Sequence, residues 1–189
     1  MFQWQKDQFA ASTLNRLTLQ HYAYVIKLLN PSHIWATVEA ATVEVGPLGC
    51  EDEGATLWKF QPEYLSKFTK IRIAAADSID SITFTYEDVY GREQNSQTYG
   101  GNGGKNHTFE LKEHDEVITK LTGTYDDTTQ IRSLAFYTSK GRKHGEYGAN
   151  GSTYMSLPVA KGKIIGFFGS NGDHLNTIGV IIEASPYDN

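Results

Sequence analysis

Tyr99-Gly100-Gly101-Asn102-Gly103-Gly104 sets four glycines in six residues, just ahead of the strand-like run Phe109-Glu110-Leu111. Glycine clustered in this way marks backbone that takes positive φ or lets another group approach closely. Working outward, two more Gly-rich segments recur at a period of roughly fifty residues. They are Gly46-Pro-Leu-Gly-Cys-Glu-Asp-Glu-Gly54 and Tyr147-Gly-Ala-Asn-Gly151, followed by Trp58-Lys-Phe60 and Tyr154-Met-Ser-Leu157. A second motif keeps the same phase: Asp77-Ser-Ile-Asp-Ser-Ile82, Asp126-Asp-Thr-Thr-Gln-Ile131 and Asp173-His-Leu-Asn-Thr-Ile178. In each, an apolar strand runs into an Asp-bearing turn and returns on an isoleucine. Two motifs in phase are hard to obtain by chance.

The runs Ile71–Ile73, Ile82–Tyr86, Leu134–Tyr137 and Ile178–Ile182 are rich in β-branched and aromatic residues. No helical period survives after Val43. One antiparallel sheet of about four strands has a single apolar face and cannot bury it alone. Three such sheets around a common axis bury all three faces. The expectation is an all-β prism of three four-stranded sheets with pseudo-threefold symmetry over residues 43–185.

Residues 1–42 read differently, as an N-terminal extension. Leu14, Leu17, His21, Tyr24 and Leu28 recur at three- and four-residue steps, with Ser12 or Thr13 as cap and Asn30-Pro31 as stop. The spacing predicts a helix from about Thr13 to Leu29, read as an arm of the main domain, the tail of a preceding domain, or a dimerising helix. Its polar face carries few basic residues, which disfavours a membrane-surface role.

The formal net charge of −5, without a Lys/Arg-rich run, argues against nucleic acid as partner. Cys50 is the sole cysteine, so no disulfide framework exists within the chain and a reducing compartment fits. Met1 to Ala10 holds polar residues where a secretory signal is apolar, and no stretch has the length and hydrophobicity of a membrane span. A cytoplasmic or nuclear protein without membrane insertion is the expectation.

Enzyme signatures are weak. His144-Gly-Glu146 has no accompanying Cys-x-x-Cys, and His107 and His114 lack ligand partners at zinc spacing. The Gly100–Gly104 run lacks the Lys-Ser/Thr pair of a phosphate-binding loop. Asp77 and Asp80 share one short turn instead of flanking a bond, as glycosidase carboxylates do. No catalytic residue, metal or cofactor is expected.

Gly162-Lys-Ile-Ile-Gly-Phe-Phe-Gly169, continuing through Gly172 and Leu175 to Ile178-Gly-Val180, resembles the last strand pair of the jacalin-related lectins. The Gly-rich openings resemble that family's GG loops, and Ile131-Arg-Ser-Leu-Ala-Phe136 its central strand. The resemblance covers about Val43 to Ala184. It implies the β-prism of three Greek-key sheets and a metal-free sugar site where a GxxxD loop of one sheet meets the GG loop of a neighbour. Backbone N–H groups and a carboxylate can serve hexose hydroxyls, which both donate and accept.

Carried over residue by residue, the resemblance implies a primary site of Gly172, Asp173, His174, Leu175 and Asn176 facing Gly54. Tyr125 and Asp126 of the middle sheet are candidates to line it. A second site joins Asp77, Ser78, Ile79 and Asp80 to the Gly103-Gly104 loop. Departures are plain: Asn176 replaces the terminal acid, Ala76 replaces a leading glycine, and Glu51-Asp52-Glu53 occupies the tip of the first loop. The uncut arm ahead of the first loop implies mannose/glucose-type glycans or glycoproteins as partners, in a plant setting. Weak single sites favour a homo-oligomer through avidity. The alternative is a β-prism that has lost sugar binding and serves as a protein-interaction module.

Overall fold

The computed structural model describes residues 23–27, 35–39, 42–64, 66–127 and 130–184. The chain divides into two units, one of which spans Val43–Ser185. In the other, β1 (Ala23–Lys27) and β2 (Trp35–Glu39) pair antiparallel, with Ala23 opposite Glu39 and Lys27 opposite Trp35. The helix expected over Thr13 to Leu29 is therefore corrected at 23–27; its remaining residues lie outside the described ones. Tyr24 satisfied the helical spacing, but Ala-Tyr-Val-Ile-Lys contains two adjacent β-branched residues that favour a ladder.

Thirteen further strands build the larger unit: β3 (Thr42–Gly49), β4 (Thr56–Phe60), β5 (Lys67–Ala75), β6 (Ile79–Glu87), β7 (Glu93–Asn95), β8 (Tyr99–Gly100), β9 (Lys105–Glu110), β10 (Ile118–Tyr125), β11 (Ile131–Thr138), β12 (Lys143–Gly148), β13 (Thr153–Pro158), β14 (Lys163–Asn171) and β15 (Leu175–Glu183). They form three antiparallel sheets, ordered β3-β15-β14-β4, β7-β6-β5-β9 and β12-β11-β10-β13. β8 joins β6 beyond β7, so β7 and β8 act as one interrupted edge strand. Each sheet has a central hairpin with the next strand beside its second member and the last beside its first. That is the Greek-key order. In the first sheet, β3 and β4 from the start of the unit complete a hairpin from its end. No helix occurs among the described residues.

The central hairpins carry matching irregularities. Bulges fall between Ala74 and Ala75, Thr124 and Tyr125, and Ser170 and Asn171, just before each turn. Pairing across the turns is then Ala75 with Ile79, Tyr125 with Ile131, and Asn171 with Leu175. Hence the repeat aligns Ile79-Asp80-Ser81 with Ile131-Arg132-Ser133 and Leu175-Asn176-Thr177. The isoleucine expected to match Ile131, Ile82, instead corresponds to Leu134.

One fully buried phenylalanine from each sheet reaches the axis. Phe84 and Phe167 stack at 4.7 Å, and Phe136 meets Phe167 edge-on at 6.2 Å. Strand alternation supplies the rest: Trp58 on β4 and Met155 and Leu157 on β13 point inward, while Leu57, Lys59 and Tyr154 point out. Such aromatic pairs add to the burial term that drives three single-sided sheets together.

Candidate functional site

At one end of the prism, three turns meet three Gly-rich loops. Each Gly-rich loop packs on the turn of its own sheet. A Cβ on Gly49 would overlap the Asn176 carbonyl oxygen, one on Gly100 that of Asp80, and one on Gly148 that of Arg132. Facing partners thus belong to the same sheet, whereas the family resemblance implied neighbouring sheets. The neighbouring sheet supplies a third wall. Ile131 reaches Gly49, Asp173 reaches Gly101, and Ile79 reaches Gly148.

In the second cluster, the carboxylate of Asp80 lies beneath the Gly103-Gly104 loop, and its side chain is 8% exposed. A side chain on Gly103 would overlap its Oδ1, and one on Gly104 its Oδ2. Gly104 also holds φ +72°, a conformation costly for other residues. Gly101 N–H donates to the Asp80 carbonyl at 2.9 Å. Among the described residues Asp80 Oδ2 is buried without a hydrogen-bond partner, while Oδ1 stands 3.6 Å from Nε2 of His174. The replaced leading glycine does no harm. Ala76 N–H bonds the Ser78 carbonyl at 3.1 Å, as Gly172 N–H bonds that of His174 at 3.0 Å.

Asp77 is exposed, whereas Ser78 and Ile79 are buried; Ile79 supports the loops from the core and offers no side chain to a ligand. Behind the Gly-rich loop, Tyr99 stacks on Trp58 at 4.5 Å. Burial pushes its phenol up, outweighing a hydrogen bond with Gln97 that lowers it. A neutral aromatic anchor holds the loop.

The first cluster is built on the same plan with different chemistry. Asn176 is buried, with Oδ1 3.8 Å from the Cβ position of Gly172. Gly172 and Asp173 are exposed and Leu175 is a core residue. The glycine pressed on Asn176 is Gly49, not Gly54. Gly54 donates its N–H to Asp52 Oδ1 at 3.3 Å, and among the described residues only that oxygen approaches its Cβ position, at 4.0 Å. The Glu51–Gly54 tip therefore folds on itself. Cys50 Sγ lies 3.6 Å from the Asp127 carbonyl and tethers this loop to the β10–β11 turn. Beside it a cavity of about 590 Å³ opens on the outer sheet face, lined by Pro47, Glu51, Asp52, Leu57, Lys59 and Phe168 among others.

The third cluster holds Tyr125 and Asp126, which were candidates for the first. Asp126 Oδ1 accepts the Ser152 N–H at 2.6 Å, and its Oδ2 pairs with Arg132 Nε at 3.2 Å. The backbone of Tyr125 and the stem of Arg132 fill the space beside Gly151. Arg132 occupies the place taken by Asp80 and Asn176 in the other sheets. The ion pair closes this cluster internally.

The family model of the jacalin-like lectin domain matches residues 45–181, which contain all three clusters. The chain belongs to the jacalin-like lectin family. It is 35% identical over 136 residues to an agglutinin of Castanea crenata, covering 69% of this chain and 44% of that protein. The chain thus spans less than half the length of that relative. Among solved structures, a Malaysian banana lectin matches at 33% identity and TM-score 0.65, covering 77% of this chain and all of that one. A mannose binding jacalin related lectin from Ananas comosus matches at 29% identity and TM-score 0.65, over 76% of this chain and 99% of that one. In this jacalin-like chain, the three loop clusters end in an acid, an amide and a cation. Sequence reasoning missed Arg132 and the approach of His174 to Asp80. The first was signalled by Ile131-Arg-Ser beside Ile79-Asp-Ser; the second depends on which loops are neighbours.

Proposed function

We propose that this chain is a non-enzymatic lectin that binds mannose/glucose-type glycans without a metal ion, with the Asp80 cluster as its leading site and the Asn176 cluster as a weaker one. The observation that carries this reading is the Asp80 carboxylate, nearly buried, aimed into a glycine loop and holding one oxygen without a hydrogen-bond partner among the described residues. Burying a carboxylate is costly unless its oxygens are served. A hexose brings hydroxyl donors to it, and the glycines let the ring approach the backbone. The Ananas comosus relative, named as mannose binding, supports the sugar class. A cytoplasmic or nuclear location and assembly into oligomers belong to the same proposal.

Calorimetric titration with methyl α-mannoside, α-glucoside and α-galactoside tests it. The first two are expected to bind, and Asp80→Ala is expected to lower affinity about a hundredfold, the loss of two charge-assisted hydrogen bonds. Absence of binding by the folded protein refutes the lectin reading; unchanged affinity in Asp80→Ala refutes the site.

The second reading, a protein-interaction module, is favoured by the cavity under the first loop. Leu57 there is 84% exposed beside the acidic Glu51 and Asp52.

A further inference from the structure

The carboxylate of the second cluster faces an imidazole from another sheet. His174 lies on the β14–β15 turn, Asp80 at the start of β6, and His174 Nε2 is 3.6 Å from Asp80 Oδ1. That separation exceeds an N–H···O hydrogen bond, yet an oxygen fits at about 2.8 Å from both atoms. We propose that His174 is a specificity-determining contact of the Asp80 site, where one hexose hydroxyl donates to Asp80 Oδ1 and accepts from His174 Nε2–H. The inference rests on the lectin reading and adds a residue and a selectivity to it.

Three observations carry it. The turn bearing His174 is pinned on both sides: Asp173 presses on Gly101, and Leu175 is fully buried. The imidazole itself is 40% exposed and open to a ligand, while the carboxylate beside it is 8% exposed. In the other clusters the described approaches across sheets are of a different kind. The neighbouring turn reaches the first cluster through the Asp127 carbonyl and the Ile131 side chain, and the third through Ile79. Among the described residues, only the second cluster sets a side-chain donor of one sheet beside the terminal residue of another.

The chemical consequence is a hydroxyl that must donate and accept at once. A bond to an ionised group is stronger than a neutral one, and the two bonds polarise each other through the shared oxygen. The site therefore selects an unsubstituted hydroxyl. Fluorine at that carbon cannot donate, hydrogen can do neither, and an O-methyl group blocks the donor and crowds the turn. The preferred ligand is a glycan end with this hydroxyl free.

Nuclear magnetic resonance titration of the full chain tests the idea, following the Gly103 and Gly104 amides as reporters of this site. Methyl α-mannoside and its single deoxy and deoxyfluoro analogues are titrated into wild type, His174→Ala and His174→Gln. His174→Ala is expected to weaken the mannoside about tenfold, with partial recovery in His174→Gln, which keeps a donor. One analogue that binds poorly to wild type is expected to lose nothing further in His174→Ala, because hydroxyl and imidazole act as a pair. Affinity within twofold of wild type in His174→Ala, or losses that simply add, overturns the proposal. Absence of mannoside binding by wild type overturns the lectin reading and this inference together; binding that ignores His174 overturns this inference alone.

Discussion

The second and third loop clusters occupy equivalent places in the prism and treat their charges in opposite ways. Around Asp80, glycines stand clear of a carboxylate whose Oδ2 has no hydrogen-bond partner among the described residues. Around Arg132, the Asp126 carboxylate is engaged by Ser152 N–H and the guanidinium, and the stem of Arg132 occupies the loop. The same Greek-key sheet thus makes an open cradle in one case and a closed joint in the next. What separates them is the residue at one equivalent position, Asp80 or Arg132, together with the longer β10–β11 turn that brings Asp126 beside it. Glu116 shows how a buried carboxylate looks when it serves the fold. It takes Thr138 Oγ1 at 2.6 Å, Arg142 Nη1 and Lys112 N–H. Burial raises its pKa, but these bonds outweigh it and hold the group below the usual carboxylate value.

The comparison breaks most sharply at Gly104. A Cβ there would overlap Asp80 Oδ2 and sit 2.7 Å from Ala75 N, at φ +72°. Gly141 has the same φ but, among the described residues, nothing within 4 Å of its Cβ position. Gly141→Ala is expected to cost about 1 kcal/mol in stability from backbone conformation alone, with glycan affinity unchanged. Gly104→Ala is expected to cost about 2 kcal/mol more and to lower glycan affinity at least tenfold. Thermal melts and calorimetry of the two variants separate close approach from conformation. Equal effects in both would show that the crowding around Asp80 is immaterial.

The closed joint gives a smaller effect of another kind. Arg132→Ala removes a partly exposed ion pair and leaves Asp126 its bond from Ser152 N–H. A loss of about 1 kcal/mol in unfolding free energy is expected, with glycan affinity and stoichiometry unchanged. If affinity instead falls with stability kept, the third cluster is a binding site and its assignment as a joint is wrong.

Much of the fold was legible because its physics repeats. Every sheet needs a glycine where a loop crosses the carbonyl of Asn176, Asp80 or Arg132, so Gly49, Gly100 and Gly148 write the threefold into the chain. The strand around Val25 and Ile26 was hidden by Tyr24, which satisfied a helical spacing drawn largely from residues outside the described ones. The site was legible only in part. The longer β10–β11 turn shifted the apparent alignment of Ile131 by three positions, which concealed that Arg132 stands in the place of Asp80. Gly54 was chosen for lying in a Gly-rich segment, yet Asp52 turns that tip back on itself. The meeting of His174 with Asp80 left no local trace, because periodicity reveals equivalent loops without revealing which of them touch.

The first cluster offers the smallest and finest adjustment. Asn176 stands where Asp80 does, on the same bulged hairpin and beneath the same kind of glycine crossing at Gly49. An amide accepts through one oxygen and offers donors through its nitrogen, so two hydroxyl donors cannot be served as by a carboxylate. Asn176→Asp restores the second acceptor and the charge, at nearly constant volume. The gain from stronger bonds is opposed by desolvation at a buried position and by the nearby acids of the first loop. The net expectation is about a fivefold rise in mannoside affinity at this cluster, under 1 kcal/mol. It is read by calorimetry in an Asp80→Ala background, where the second cluster is silent. A fall in affinity would mean that the acidic first loop, more than the lost carboxylate, sets the weakness of this site.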